Sequence, residues 1–243
     1  MALPLLERLP LARAHRVLDI ATGTGSRLSD ITAAAPDAAV LGVDRAEGML
    51  RAARRAGHRR LAVTDAQQLG IQSEMFDVVT LVFALFHMPD SLRCLREVHR
   101  VLRPGGTAGI ATWGYDPGLP GVSVWKDELD RAGAAPDPRD PRVMQHDRMD
   151  TPEKLGHLLE AAGFPDVAIW STDVEHQWTL EDLMANQIDC GAPARRLISL
   201  SRQARAQCES RVRERLQALA PAELLHRADV LLVMAERSGA TAR

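Results

Sequence analysis

The segment of residues 17–25 restricts this chain to a small set of folds. It reads Val-Leu-Asp-Ile-Ala-Thr-Gly-Thr-Gly, an apolar run that ends in an acid and continues through small residues into a helical pattern. This pattern predicts a strand, a turn and a helix, and Gly23 and Gly25 lack the Cβ that would hold a ligand away from the backbone. A dinucleotide-binding turn reads G-x-G-x-x-G, whereas Leu28 stands at the third glycine position. The turn therefore predicts an α/β ligand-binding fold, with a spacing that departs from the dinucleotide fingerprint.

Strand-like and helix-like segments alternate from residue 16 onward, which is typical of a parallel sheet covered by helices on both faces. Strands are predicted over residues 16–20, 40–43, 60–63, 76–83 and 107–113, and helices over 26–34, 45–55 and 91–102. The run 76–83 is rich in Val, Leu and Phe, which favours a central strand buried on both faces. Asp90 is expected to cap the helix that follows it.

After Trp113 the alternation stops. Residues 115–150 are rich in proline and aspartate and predict a long excursion with one helix near 122–132. Thr151 is a predicted N-cap, because Pro152 follows it at the first helical position. A strand is then predicted from 167, a mostly helical block over 179–219 with a break near 191–193, and a last strand over 229–235.

Charge, hydropathy and cysteine usage exclude several classes of protein. A net charge of −2 over 243 residues gives no overall attraction to nucleic acid or to an anionic membrane. No apolar run approaches the roughly 20 residues that cross a bilayer, and the N-terminal segment makes a poor signal peptide. Cys94, Cys190 and Cys208 are far apart, which indicates reduced thiols and a cytoplasmic location. No residues have the spacing of metal ligands, so no metal is predicted.

Candidate ligand-binding residues follow four successive strands, at the sheet edge where open α/β sheets bind ligands. Asp19 ends the first strand, Asp44 follows the second, Asp65 and Ala66 follow the third, and residues 83–87 follow the fourth. A carboxylate after the second strand can accept hydrogen bonds from two ribose hydroxyls, and an acid with a backbone N–H can recognise an adenine edge. One acid after a strand is more often a helix cap or a surface residue, but four such features in order predict a nucleoside ligand.

The order of these motifs resembles that of class I S-adenosylmethionine (SAM) dependent methyltransferases, and more closely their ubiquinone/menaquinone-type small-molecule family. The resemblance is strong over residues 16–113 and extends to the rest only in layout. The motifs that carry it are residues 19–25, 42–44 with Met49, 65–67, 76–79, 85–90 and 102–106. It implies a single α/β domain over 1–243, with a Rossmann-like seven-stranded sheet whose last strand is antiparallel. A helical cap over 179–225 would be inserted between the final two strands.

The resemblance also implies a binding role for individual residues. SAM would contact Asp19, Ala21, Thr22, Gly23, Gly25, Asp44, Arg45, Met49, Asp65, Ala66, Gln67 and Phe83. Within that set, Asp44 would hold the ribose, Met49 would pack on the adenine, and Asp65 with Ala66 would bind the adenine edge. The Phe83 carbonyl would receive the ammonium of the methionine part. Ala21 departs from the family, which usually has glycine at that position.

His87 is the candidate catalytic residue. It follows the fourth predicted strand, and histidine side chains exchange protons near neutral pH, so it could accept a proton from a hydroxyl or amine acceptor. A residue that only lines the pocket or caps a helix is an equally open interpretation. Whether oxygen, nitrogen or carbon of the small-molecule acceptor is methylated stays open at this point.

Two other functions remain open. The first is a SAM-binding accessory protein that transfers no methyl group, suggested by the short segment before the first strand. That short segment also predicts that a lid comes from 179–219 or from a second copy in a homodimer. The second is an RNA-modifying enzyme, suggested by the arginines of residues 195–215, although nucleic acid and membrane partners are not expected for this charge pattern. The arginines of residues 51–60 are interpreted as solubilising.

Overall fold

In the computed structural model, residues 3–139, 141 and 146–239 are described. These residues contain seven strands: β1 Arg16–Ile20, β2 Ala39–Asp44, β3 Leu61–Val63, β4 Phe76–Val82, β5 Leu102–Trp113, β6 Asp166–Gln177 and β7 Leu225–Glu236. They also contain the helices α1 Leu3–Leu6, α2 Leu28–Ala34, α3 Glu47–Arg55, α4 Ser91–Val101, α5 Pro120–Arg131, α6 Pro152–Ala161, α7 Leu180–Asp189, α8 Gly191–Leu197 and α9 Arg202–Gln217. Among these helices, none has the length and the apolar character that a membrane span needs.

The strands form one sheet in the order β3-β2-β1-β4-β5-β7-β6. Strands β1 to β5 pair in parallel with their neighbours, and β7 pairs antiparallel with β5. The predicted seven-stranded sheet with an antiparallel last strand is therefore confirmed. The strand order reverses at β1, which lies between β2 and β4. In open α/β sheets, such a reversal leaves a crevice at the carboxyl ends of the strands.

Contacts divide the chain into two compact units. Of the described residues, the first unit contains 3–115, 141, 146–172 and 230–239, and the second contains 116–139 and 173–229. The predicted cap, 179–225, lies within the second unit, which also includes α5 from the proline-rich excursion. A single domain over 1–243 stays a prediction.

The core of the first unit explains why its strands could be recognised from sequence. Strand β4 is buried along its whole length except at Val82, as its apolar run predicts. Leu18 of β1 and Ile110 of β5 are also inaccessible to solvent and belong to the same cluster. Each such side chain contributes roughly 1.5–3 kcal/mol through burial. The second unit has its own apolar core, which includes Trp125, Leu183 and Leu216.

Most helices and strands begin and end within one or two residues of their predicted bounds, and three differ by more. Strand β5 starts at Leu102 instead of 107, because Leu102 pairs with Phe76 and a register irregularity follows. The helical block separates into α7, α8 and α9, and β7 begins at Leu225 instead of 229. The predicted N-caps are confirmed: Asp90 accepts a hydrogen bond from the N–H of Arg93 at 2.9 Å, and Thr151 accepts one from Lys154 at 3.3 Å.

Candidate functional site

Two adjoining cavities lie in the first unit at the carboxyl ends of β1, β2 and β4. The first has a volume of about 410 Å³ and the second about 430 Å³, within the range of sites for small molecules. The first cavity is lined by Ile20, Ala21, Gly23, Val43, Asp44, Arg45, Met49, Thr64, Ala66, Phe83, Ala84, His87 and Met88. The second is lined by Asp19, Ala21, Thr22, Gly23, Thr24, Ser26, Arg27, Met49, Val82 and Phe83. Ala21, Gly23, Met49 and Phe83 belong to both, so one extended ligand could occupy the two together.

The backbone is strained at two of these shared positions. Ala21 has φ of 57° and Phe83 has φ of 52°, in the left-handed region that non-glycine residues rarely occupy. The Phe83 N–H donates to the carbonyl of Ala111 at 2.7 Å, which helps to hold this conformation. Strain of this kind costs on the order of 1–3 kcal/mol and concentrates at ligand-binding sites. It also gives a physical reason for glycine being usual where Ala21 stands.

The two glycines of the turn have different surroundings. Gly23 has φ of +58°, and a Cβ placed there would meet no atom within 4 Å, so the space beside it is open to a ligand. A Cβ on Gly25 would lie 2.6 Å from Cδ2 of His58, and Gly25 lines neither cavity. The N–H of Gly23 donates to Asp44 and that of Gly25 to the Thr22 carbonyl. The turn therefore offers close approach, and a cofactor contact of Gly25 stays a prediction.

Asp44 is held in place at the wall of the first cavity. Its Oδ2 accepts a hydrogen bond from the Gly23 N–H at 2.9 Å, and its Oδ1 accepts one from the Ala46 N–H at 2.8 Å. Each carboxylate oxygen has a further lone pair, so this preorganised group can still accept two hydroxyl donors. Met49 lies nearby with 48% of its surface exposed, which leaves a large apolar side chain at the cavity wall.

Asp19 supplies a second carboxyl group, buried at the wall of the second cavity. The hydroxyl of Thr80 donates to its Oδ1 at 2.7 Å. Burial raises the pKa of Asp19, the charge of Asp44 raises it further, and the hydroxyls of Thr22 and Thr80 oppose that rise. A positive charge in this cavity would favour the ionised form of Asp19. The second cavity is therefore suited to a ligand that carries a cation.

Arg27 was missed by the sequence analysis. Arg27 lines the second cavity, and its guanidinium pairs with Asp30 at 3.1 Å, one turn along the helix. Its position two residues after Gly25, next to the predicted start of α2, was the available signal. Arg27 gives this cavity a donor for an anionic group, because a guanidinium binds carboxylates through parallel N–H donors.

Residues 65–67 form a braced turn beside the first cavity. Ala66 is buried and lines the cavity, whereas Asp65 and Gln67 line neither cavity. Asp65 Oδ1 accepts the N–H of Gln67 at 2.8 Å, and Gln67 Oε1 accepts the N–H of Asp90 at 2.9 Å. The side chain of Gln67 thus links the turn to the start of α4 through a hydrogen bond. Binding of adenine by Asp65 and Gln67 stays a prediction.

His87 lies at the end of a short 3-10 helix, Leu85–His87, directly after β4. It lines the first cavity, is exposed, and its ring centroid lies 4.2 Å from that of Phe86. The ring of Phe83 packs against Trp113 at 4.8 Å. His87 is therefore placed where a proton acceptor would reach a molecule held in the first cavity. Within the described part of the chain, no cluster of His, Cys, Asp or Glu is arranged to bind a metal.

Comparison with known proteins gives matches over the same part of the chain. The model of the family described as "Methyltransferase domain" matches residues 18–110. The demethylmenaquinone methyltransferase of Roseiflexus sp. is 32% identical over 173 residues, which cover 63% of this chain and 68% of that protein. Three other demethylmenaquinone methyltransferases, from Geobacillus kaustophilus, Corynebacterium urealyticum and Thermus thermophilus, are matched over only 46–53% of their length. The chain thus spans about half the length of these relatives.

Solved structures share the fold over nearly the whole chain. A putative methyltransferase from Bacillus halodurans has a TM-score of 0.61 at 20% identity and covers 97% of both chains. A Haemonchus contortus phosphoethanolamine N-methyltransferase, solved with S-adenosylhomocysteine, has a TM-score of 0.57 at 20% identity and covers 97% of this chain and 52% of that one. The motifs, the sheet order and the Roseiflexus relative agree, and the chain belongs to the ubiquinone/menaquinone-type family of class I SAM-dependent methyltransferases.

Proposed function

We propose that this chain binds SAM across the two adjoining cavities and transfers its methyl group to a small-molecule acceptor. One observation carries the proposal: the cavities share a strained wall at Ala21 and Phe83, and each has its own carboxyl group, Asp44 in the first and Asp19 in the second. SAM has a ribose diol at one place and a sulfonium and an ammonium at another. Asp44, which is preorganised to accept hydroxyl donors, matches the ribose diol. Asp19, a buried carboxyl group that favours a cation nearby, matches the positive charges.

The residues that line the first cavity fit the nucleoside part. Asp44 would accept hydrogen bonds from the ribose hydroxyls, Met49 would cover the adenine ring, and Ala66 would bind the adenine edge through its backbone. In the second cavity, Asp19 and the Phe83 carbonyl would attract the positive charges of the amino-acid part. The guanidinium of Arg27 would bind its carboxylate.

SAM supplies a methyl group already activated by the sulfonium to which it is attached. The chain then has to hold the acceptor in line with that methyl group and exclude water, which accounts for much of the rate in reactions of this type. His87 would accept the proton of an acceptor hydroxyl at an imidazole nitrogen, worth about two to four decades in rate. One relative is named as a demethylmenaquinone methyltransferase and another as a C-methyltransferase of ubiquinone/menaquinone biosynthesis, so reduced demethylmenaquinone, with methylation at carbon, is the first acceptor to test.

Methyl transfer would require the two cavities to be covered, so that water is excluded. A second copy of the chain would supply this cover in a homodimer, so the active species would be the dimer. Sedimentation velocity with and without S-adenosylhomocysteine measures this directly. A monomer at concentrations that support full turnover would contradict the dimer, and would leave the cofactor site unaffected.

Calorimetry with SAM and with S-adenosylhomocysteine tests the cofactor site. Asp44→Ala is expected to weaken binding of both by about 1–3 kcal/mol, or roughly 5- to 150-fold, because hydrogen bonds to a charged group are lost. Asp37→Ala is the matched control, because Asp37 is an exposed carboxylate that lines neither cavity. Unchanged affinity in Asp44→Ala would remove Asp44 from this role. Preferred binding of a nicotinamide dinucleotide would overturn the proposal itself.

Turnover distinguishes methyl transfer from a purely binding role. The wild-type protein is expected to form S-adenosylhomocysteine in step with methylated acceptor, and His87→Ala is expected to lower kcat more than the affinity for SAM. Tight SAM binding without S-adenosylhomocysteine formation over a broad panel of acceptors would favour an accessory protein. RNA modification is less well supported than the sequence suggested, because six of the seven arginines of residues 195–215 bind carboxylates in the structure.

A further inference from the structure

A third cavity of about 340 Å³ lies in the first unit, outside the proposed cofactor site. Its walls come from Leu28 of α2, from Val40 of β2 and from residues 57–60, the segment between α3 and β3. The apolar side chains of Leu28 and Val40 form one side of the cavity. Arg59 and Arg60 bring positive charge to the cavity beside His58, and no acidic residue lines it. The cavity therefore has the composition of a site for an anion with a small organic part.

The arginines of this cavity are available to a ligand. Arg59 and Arg60 are exposed, and within the described residues their side chains make no ion pair or hydrogen bond. Asp37 adjoins the lining residue Ala38 in the sequence, but it is exposed and pairs with neither arginine. Unpaired guanidinium groups on two adjacent lining residues repel each other, and a bound anion removes that repulsion.

His58 is the fixed member of the group. It is half-buried, and its ring packs so closely against Gly25 that a Cβ there would lie 2.6 Å from Cδ2. Its backbone N–H donates to the carbonyl of Ala53 at 3.1 Å, which holds the segment to the end of α3. Arg59 and Arg60 thus extend from an anchored segment rather than from a loose loop.

The geometry points to a binding site for a phosphate-type oxyanion in this third cavity, held by the guanidinium groups of Arg59 and Arg60. Phosphate is the favoured chemistry because the planar guanidinium forms two parallel hydrogen bonds with its oxygens, and because its charge is large enough to neutralise two arginines. This site is separate from the proposed SAM site, and it does not depend on methyl transfer.

Titration with inorganic pyrophosphate at constant ionic strength tests the site, with the binding measured by calorimetry. The variant Arg59→Ala/Arg60→Ala is expected to bind pyrophosphate at least about tenfold more weakly than the wild type. The matched control is Arg54→Ala/Arg55→Ala, which removes the same charge from two exposed arginines at the end of α3 that do not line the cavity. The control is expected to lose less than about threefold. Circular dichroism melting curves establish that both variants are folded.

Two outcomes of this experiment would overturn the proposal. Equal losses in the two double variants would show a diffuse electrostatic attraction instead of a site. Displacement of pyrophosphate by saturating S-adenosylhomocysteine would place the anion in the cofactor site. If S-adenosylhomocysteine itself does not bind, the proposed function fails while the comparison of the two double variants still decides the anion site.

Vesicles distinguish a soluble phosphate compound from a lipid headgroup as the source of the anion. Flotation with phosphatidylcholine vesicles that contain phosphatidylglycerol is compared for the wild type and both double variants. Binding to these vesicles that is lost only in Arg59→Ala/Arg60→Ala assigns the site to a headgroup. Pyrophosphate binding without flotation assigns it to a soluble phosphate. Flotation that depends equally on all four arginines, without pyrophosphate binding, would contradict a cavity site.

Discussion

Two arginine-rich segments look alike in the sequence and behave in opposite ways in the structure. In the second unit, the arginines of α8 and α9 other than Arg202 bind carboxylates, many of them on α5 or just after it. The pairs are Arg195 with Asp137, Arg196 with Asp130, Arg205 with Glu209, Arg211 with Glu128, Arg213 with Glu181, and Arg215 with Asp127 and Glu128. In the first unit, Arg51 pairs with Glu47 at 3.1 Å, whereas Arg54, Arg55, Arg59 and Arg60 have no such partners among the described residues.

The partners explain the difference. The carboxylates that neutralise Arg211 and Arg215 stand 83 to 88 positions away along the chain. No inspection of the helical block by itself could reveal them. A run of arginines in the sequence therefore does not by itself distinguish a nucleic-acid-binding surface from a solvated one. The distinction depends on which carboxylates the fold brings into contact with the arginines. The suspected contact surface of the second unit is largely neutralised by its own carboxylates. In the first unit, within the part of the chain that the structure describes, only Arg51 of the solubilising segment is paired, with Glu47 at 3.1 Å, so the interpretation of this segment as solubilising stays a prediction.

Glu128 is the centre of the paired region, and its removal gives the largest expected effect. Its side chain is only 3% exposed and accepts hydrogen bonds from Arg211 Nε at 2.7 Å and Arg215 Nη1 at 3.0 Å. Glu128→Gln keeps the shape and removes the charge. We expect the free energy of unfolding to fall by about 2–4 kcal/mol, less than for a fully buried pair, because both arginines are partly exposed. Urea denaturation followed by circular dichroism measures it.

Asp127 provides the control for Glu128. It also binds Arg215, at 3.1 Å, but its side chain is 57% exposed. Asp127→Asn is expected to cost less than about 1 kcal/mol, as surface ion pairs do. Equal effects of the two substitutions would show that burial does not separate them, and the description of Glu128 as the centre of a neutralised cluster would be wrong.

Local patterns explain how much of the molecule could be predicted. Strand β4 and the turn at residues 19–25 are defined by neighbouring residues, so their place in the fold could be predicted, whereas the binding roles of the turn residues stay predictions. The early start of β5 depends on pairing between Leu102 and Phe76, which no local pattern contains. Arg27 and Gly25 were interpreted incompletely for a related reason: which one faces the cavity depends on the path of the turn, and on His58 packing against it.

Acid conditions should weaken the paired region. Burial alone would raise the pKa of Glu128, but hydrogen bonds from Arg211 and Arg215 outweigh it and hold that pKa below its ordinary value. The pKa of Asp137 is likewise well below its usual range, because hydrogen bonds from Arg195 and Arg139 outweigh its burial. A lowered pKa in the folded state means that these groups stabilise the fold above the unfolded values, roughly pH 4, and lose that contribution as pH falls through the folded values.

The urea midpoint measured from pH 7 to pH 3 checks this direction. The wild type should lose stability more steeply than Glu128→Gln below about pH 4, because the variant has no carboxylate to protonate at that position. The raised pKa of Asp19 has the opposite effect on stability, because it favours the folded state at low pH. Asp19 is present in both proteins, so its contribution does not alter their comparison. Parallel curves for the two proteins would contradict the lowered pKa of Glu128.

The unpaired segment gives the smallest expected effect on stability. Arg54→Ala/Arg55→Ala removes two exposed charges that contact no carboxylate, so the free energy of unfolding should change by no more than about 0.5 kcal/mol. Because like charges repel, the variant should also lose part of the stabilisation that the wild type gains from added salt. Denaturation at low and high ionic strength measures both quantities. A loss of more than about 1 kcal/mol would show that these arginines stabilise the fold through contacts, and the contrast with α9 would disappear.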